Sequence, residues 1–128
     1  RIETVDEKAS FKNSLDNRCL IIATAYYEWH WKDEKGKVKE KYQINCDDEI
    51  FTFAGLYNLG TNPETGETLN TFTMLTTDAN EVMKYVHNHK KRMPIIINRN
   101  DEKAWLDKST KISDFAFPYQ AKLIAFTK

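Results

Sequence analysis

Arg18-Cys19-Leu20-Ile21-Ile22-Ala23-Thr24-Ala25-Tyr26-Tyr27-Glu28-Trp29-His30-Trp31 is the stretch that decides the fold class. Cys19 to Ala23 is a continuous apolar run of strand length, and Tyr26 to Trp31 is rich in the aromatic side chains that a pleated surface accommodates. Two strands therefore follow one another with only Thr24-Ala25 between them. Successive side chains in a strand point to opposite faces, so Tyr27, Trp29 and Trp31 share one face and Tyr26, Glu28 and His30 share the other. Glu28 is thereby turned away from the tryptophans.

Further strands follow downstream. Lys32 to Lys41, a charged stretch around Gly36, reads as a hairpin loop leading into a strand from Tyr42 to Cys46. Asp47-Asp48-Glu49 makes a turn, and Ile50 to Tyr57 is a strand in which Gly55 marks a bulge or a close backbone approach. Thr61 to Thr68 is a loop and Thr71 to Thr76 another strand. Asp78 with Glu81 three residues on fits a capping box. The stripe Ala79, Val82, Met83, Val86 behind it predicts a helix with one buried face. His89-Lys90-Lys91-Arg92 falls at that helix's C-terminus, where cations are favoured. Met93 to Ile97 reads as a buried strand, and Asn100 as the cap of a short helix carrying Ala104, Trp105 and Leu106. Upstream, Ala9, Phe11 and Leu15 predict a short amphipathic helix between Glu7 and Leu15. The apolar tail from Phe115 to Phe126 should pack. The pattern is one α+β domain dominated by antiparallel strands.

Composition excludes some function classes. The 128 residues carry 19 basic and 19 acidic side chains, so no overall basic field advertises a polyanionic partner, and any nucleic-acid face must be local. No apolar run approaches the ~20 residues that span a bilayer, so no membrane partner is expected. Cys19 and Cys46 lie far apart without zinc-site spacing, which predicts a reducing, cytoplasmic setting. The chain starts at Arg1 with no signal-peptide pattern, which reads as a cut in a longer protein.

Three constellations could carry chemistry. Glu28 among aromatic rings is placed to lose hydration and hold a proton near neutrality; the plainer alternative is a solvent-facing strand glutamate. His87-Asn88-His89 with Lys90-Lys91-Arg92 combines a neutral-range titrating group with phosphate-binding cations, though a soluble helix end has the same letters. Tyr26, Tyr27, Trp29 and Trp31 could stack unpaired bases, while core packing is the expected fate of most of them. His30, His87 and His89 lack partners at ligand spacing, so neither a metal nor another cofactor is expected. The letters His87-Asn88-His89 do not make an HNH nuclease, whose residues are spread along a longer metal unit.

Read in order, the motifs resemble those of the SOS response-associated peptidase (SRAP) family across nearly the whole chain. Arg1-Ile2-Glu3-Thr4 is similar to the end of the family's N-A-R-x-E-T segment. Arg18-Cys19-Leu20-Ile21 followed by Tyr26-Tyr27-Glu28-Trp29 resembles R-C-L-[IV]-P-A-x-x-[FY]-Y-E-W, with Ile22 for the usual Pro and Ala25 for the usual Gly. Phe53-Ala54-Gly55-Leu56-Tyr57 matches F-A-G-L-[WY], and Thr76-Thr77-Asp78-Ala79-Asn80 matches T-T-x-A-N. Val86-His87-Asn88 and Arg92-Met93-Pro94-Ile95 resemble [IV]-H-[DN]-R-M-P-[VI], with His89, Lys90 and Lys91 inserted.

The resemblance implies a single SRAP domain over residues 1–128, with antiparallel strands curled into a barrel and a few short helices. It lacks an upstream segment bearing the family's nucleophilic cysteine. It implies a sensor of abasic sites in single-stranded DNA, acting as a monomer at the nucleoid. An N-terminal Cys supplies amine and thiol to the sugar aldehyde and forms a thiazolidine cross-link; a related autopeptidase step removes the first residue. On this reading Glu28 handles protons at the amine and Schiff base, and His87 assists sugar ring opening and reversal. Arg1, Thr76 and Arg92 match DNA-contacting positions. His89 rivals His87 because of the insertion, and His87 is preferred for its Val86-His87-Asn88 context. Without the nucleophile, this fragment is expected to be inactive. The alternatives are a non-covalent single-stranded DNA module and a scaffold that has lost its site.

Overall fold

The fold described here is a computed structural model covering residues 1–8 and 11–128. Its strands are β1 (Arg18–Ala23), β2 (Tyr26–Trp31), β3 (Lys39–Cys46), β4 (Phe51–Thr61), β5 (Thr68–Met74), β6 (Thr76–Asp78), β7 (Arg92–Pro94), β8 (Ile96–Ile97) and β9 (Leu123–Thr127). Its α-helices are α1 (Glu81–Val86) and α2 (Glu102–Leu106). The sheet neighbours are antiparallel: β1-β4-β5 with β8 also on β4, then β2-β3-β9, and the β6-β7 ribbon. The α+β class with a few short helices therefore holds. Among the described residues no sheet closes on itself, so the curling into a barrel is not seen.

β4 sits between two apolar clusters, which is why its first half is buried on both faces and, apart from Thr52, reads as an apolar run and not as an alternation. Phe51 and Phe53 enter a cluster with Ile44, Met83, Val86 and Met93, while Ala54 and Leu56 enter another with Leu75, Ile95 and Trp105. Gly55 makes no bulge. It pairs in register with Cys19 and Met74, and a Cβ there would meet the Cys19 sulfur at 2.9 Å and the Ile21 Cδ1 at 2.8 Å. Close approach of two strands is thus its reason for being glycine.

Several sequence expectations are corrected. The helix expected from Glu7 to Leu15 is not formed over the described residues; 3-10 turns occupy Ile2–Glu7 and Lys12–Ser14, and Ala9 lies outside the described residues. β3 starts at Lys39, because its lysines pair with β2 on a solvated face. The cap of α1 is Asn80, whose side chain accepts from the Met83 N–H at 3.0 Å. Asp78 does not cap, since its backbone is in the β6-β7 ladder and its carboxylate pairs with Arg92. Asn100 lies inside the 3-10 turn Arg99–Asp101, and Asp101 occupies the N-cap of α2 without a capping bond. The tail supplies β9, paired with β3 from Cys46↔Leu123 to Tyr42↔Thr127.

Candidate functional site

The β6-β7 ribbon sets Thr76 opposite Pro94 and Asp78 opposite Arg92, and the N-terminal turn lies beside it, anchored by the buried side chains of Ile2 and Val5. These elements converge on the guanidinium of Arg92, a residue that is 8% exposed. Its Nη1 donates to Glu3 Oε1 and Asp78 Oδ1, both at 2.9 Å. Its Nη2 donates to Glu3 Oε2 at 2.8 Å, to the Thr76 carbonyl at 2.9 Å and to Thr76 Oγ1 at 3.2 Å. The fork-on-fork pairing with Glu3 is the strong kind of ion pair. It holds the Glu3 carboxyl below its usual range and raises Arg92 further. Two of the three expected DNA contacts, Thr76 and Arg92, are thus joined directly. Arg1 stands exposed two residues before Glu3.

His87 caps the C-terminal end of α1, its N–H donating to the Met83 carbonyl at 2.8 Å. From there a tight loop returns to Arg92: the Lys91 N–H donates to the His87 carbonyl at 2.7 Å, and Lys91 itself takes a left-handed φ of 52°. The loop ends with the Arg92 N–H donating to His87 Nδ1 at 3.1 Å. The Arg92 carbonyl also lies 3.1 Å from Nδ1, so this nitrogen accepts from the N–H in one tautomer and donates to the carbonyl in the other. His87 is half-buried, whereas His89 is exposed and stacked on Trp31 at 3.6 Å between ring centroids.

Glu28 lies in the middle of β2, half-buried, on the face it shares with Tyr26 and His30 and opposite Tyr42 of β3. Its Oε1 accepts the Trp29 N–H at 3.1 Å, and no hydrogen bond joins it to His87 among the described residues. β2 nevertheless reaches the end of α1, where the carbonyl of Tyr85 lies 2.7 Å from His30 Nδ1. On the opposite face the aromatics are not core residues: Tyr27 and Trp29 are about half exposed at 51% and 49%. The Lys41 ammonium lies 4.3 Å from the Tyr27 ring centre and that of Lys39 5.3 Å from the Trp31 ring centre. Only Tyr26 goes inward, edge-on to Phe53.

The cysteines are poor nucleophiles. Burial raises the Cys19 thiol, and burial together with Asp47 and Asp48 pushes Cys46 up to about 12. Among the described residues no group of three or more His, Cys, Asp or Glu could hold a metal ion, and no helix is long and apolar enough to cross a membrane.

Arg18 is a residue that sequence reasoning quoted without a role. The residue is 8% exposed, and its guanidinium donates to the carbonyls of Trp105, Asp107 and Thr110 and to Thr110 Oγ1 while lying over the Trp105 ring. It fastens β1 to the end of α2. Its nearness to α2 in space, 87 residues away in sequence from Trp105, left no local signal.

Antiparallel strands around this loop, with Thr76, His87 and Arg92 tied together and Glu28 on the neighbouring strand, define one class: the chain belongs to the family described as SOS response associated peptidase (SRAP), which matches residues 1–127. Among curated proteins it is 39% identical over 116 residues to Abasic site processing protein YoqW of Bacillus subtilis (strain 168), covering 90% of this chain and 50% of that protein. It is 30% identical over 125 residues to Abasic site processing protein HMCES of Xenopus tropicalis, covering 84% and 36% respectively. A crystal structure of a protein from Bacteroides thetaiotaomicron superposes with a TM-score of 0.90 at 34% identity, covering 99% of this chain and 56% of that one. The chain spans about half the length of these relatives or less.

Proposed function

We propose that this chain is the part of an abasic-site processing protein that holds two proton-handling side chains, Glu28 and His87, around a nucleophile supplied by a longer parent. In such a parent the amine of an N-terminal Cys condenses with the C1′ aldehyde of the ring-opened sugar, releasing water and leaving a Schiff base. The thiolate then adds to the same carbon, the nitrogen takes a proton, and a thiazolidine links protein to single-stranded DNA. Glu28 serves as the proton acceptor and donor at the amine. The His87 imidazole serves ring opening and reversal. The thiols at Cys19 and Cys46 cannot substitute, because neither neighbours a free amine and both are raised in pKa.

The observation that carries this reading is the contact of His87 Nδ1 with both the N–H and the carbonyl of Arg92, each at 3.1 Å, which holds the His87 ring beside the Thr76-Arg92 network. Arg1, Thr76 and Arg92 are assigned to the DNA strand. For Arg92 this requires an incoming phosphate to displace Glu3 or Asp78, since its terminal nitrogens are already engaged. A second reading, non-covalent binding of single strands, is favoured by the exposed Tyr27 and Trp29 beside Lys41.

The test uses a parent with an N-terminal Cys and single-stranded DNA carrying one abasic site. Glu28→Gln and His87→Ala should each slow formation or reversal of the denaturation-resistant adduct by at least about tenfold, in the range general acid-base groups contribute. Unchanged rates in both variants would sink the roles of Glu28 and His87, whereas no adduct from the unsubstituted parent would leave the non-covalent reading in possession.

A further inference from the structure

The loop from His87 to Arg92 carries a backbone strain that something must hold in place. Lys91 is the one non-glycine with positive φ among the described residues, and such a conformation costs about 1 kcal/mol or more and persists only where its surroundings over-determine it. We propose that Trp31, Asn88 and His89 form a clamp that positions the His87 ring against the strand bearing Glu28. The inference rests on the roles given to those two residues under Proposed function.

The clamp is built on an edge. β2 is the outer strand of its sheet, so alternate backbone groups face away from β3 and need partners. At Trp31 the Asn88 amide provides both: the Trp31 N–H donates to Asn88 Oδ1 at 2.9 Å, and Asn88 Nδ2 donates to the Trp31 carbonyl at 2.8 Å. A primary amide is the side chain of this length that carries a donor and an acceptor side by side, as a strand residue does. His89 then lies flat on the Trp31 indole, with 3.6 Å between centroids and 10° between planes. The indole is itself held, because Gly36 approaches it so closely that a Cβ would come within 2.7 Å of the ring. One turn earlier His30 stacks on Tyr85 at 4.7 Å.

Residues 85, 88 and 89 thus all dock on residues 30 and 31. His87 sits inside that span, and Glu28 lies two residues before His30 on the same strand. Holding a loop residue by contacts on both sides to a strand is how a site on an irregular segment acquires a fixed geometry. His89, the candidate rival to His87, becomes a positioning residue. Its ring is engaged with Trp31 and is not needed for proton transfer.

The test reads His87 directly in the 128-residue chain, by long-range proton–nitrogen NMR of the imidazole rings. The unsubstituted chain should give His87 as a single tautomer, with Nδ1 held against the Arg92 backbone. His89→Ala and the near-isosteric Asn88→Asp, which loses the donor and sets an anionic oxygen against the Trp31 carbonyl, should each convert this to an averaged mixture of tautomers. His89→Phe, which keeps a flat ring for the indole, should restore the single tautomer. If Asn88→Asp does not fold, the exposed His89 pair decides alone. An unchanged His87 signal in His89→Ala would overturn the clamp. The functional reading is separable: in a Cys-bearing parent, cross-linking that ignores His87→Ala while the clamp variants still alter the His87 spectrum would sink the role of His87 and leave the clamp standing.

Discussion

The carboxylate of Glu3 and the guanidinium of Arg92 meet end to end, Oε1 to Nη1 at 2.9 Å and Oε2 to Nη2 at 2.8 Å, across 89 residues of sequence. This pair ties the N-terminal turn to the β6-β7 ribbon, and Arg92 is nearly all buried while the Glu3 side chain keeps 41% of its exposure. Arg92→Ala should therefore destabilise the fold by about 2–4 kcal/mol, because two carboxylates and the Thr76 oxygens lose their donor. Urea unfolding of the variant at neutral pH measures this. A change below about 0.5 kcal/mol would mean that the network contributes nothing to folding.

Glu3 gives the same network a pH signature. Its pKa is lowered, first by the hydrogen bond from Arg92, so its contribution is full above the ordinary glutamate range. It is lost as pH falls through the depressed folded value. The stability gap between the natural chain and Glu3→Gln should be widest near neutrality and close below the ordinary range. A gap that widened on acidification would contradict the sign, and parallel denaturation curves across pH would read it out.

The thiols provide a third expectation. Cys46 is 7% exposed with a pKa pushed up to about 12, and Cys19 is half-buried and raised by burial alone. A small thiol-reactive probe at neutral pH should label Cys19 before Cys46, with both slower than a free cysteine peptide. Incubation of the 128-residue chain with abasic single-stranded DNA should give no adduct stable on a denaturing gel. A stable adduct mapped to either cysteine would refute the requirement for an N-terminal aminothiol.

The strands that bury both faces were legible because burial and composition coincide: Phe51 to Leu56, Thr52 aside, and Met93 to Ile97 are apolar and buried, whereas the equally apolar Cys19 to Ala23 leaves Ile22 exposed. β2 was legible for its aromatics, but the destination of those aromatics was not, since Tyr27 and Trp29 have the letters of a core and the exposure of a surface. Lys39 and Lys41 looked like loop residues because they continue a charged run, although they pair across the hairpin with Trp31 and Trp29. The site was half legible. Family resemblance supplied Glu28 and His87, whereas the inward turn of Arg92 was hidden in a run of basic letters whose other members, His89, Lys90 and Lys91, are exposed. What separates Arg92 from them is the pair of carboxylates brought by Glu3 and Asp78, and one of these comes from the opposite end of the sequence.

Lys91 offers the sharpest test of the loop. Its φ of 52° lies in the left-handed region, which is unfavourable for a residue with a Cβ and worst for a β-branched one. Glycine removes that penalty but adds about 0.5–1 kcal/mol of conformational entropy to the unfolded chain. The two terms nearly cancel, so Lys91→Gly should leave stability within about 1 kcal/mol of the natural chain. Lys91→Val keeps the Cβ and adds a branch, and it should destabilise by roughly 1–2 kcal/mol more than the glycine variant. The same ordering should appear at His87, because the Lys91 N–H closes on its carbonyl at 2.7 Å. Lys91→Val should disturb the His87 ring signals and Lys91→Gly should not. Equal stability of the two variants in urea titration would mean that the loop relaxes out of the left-handed conformation, and the strain argument would fall with it.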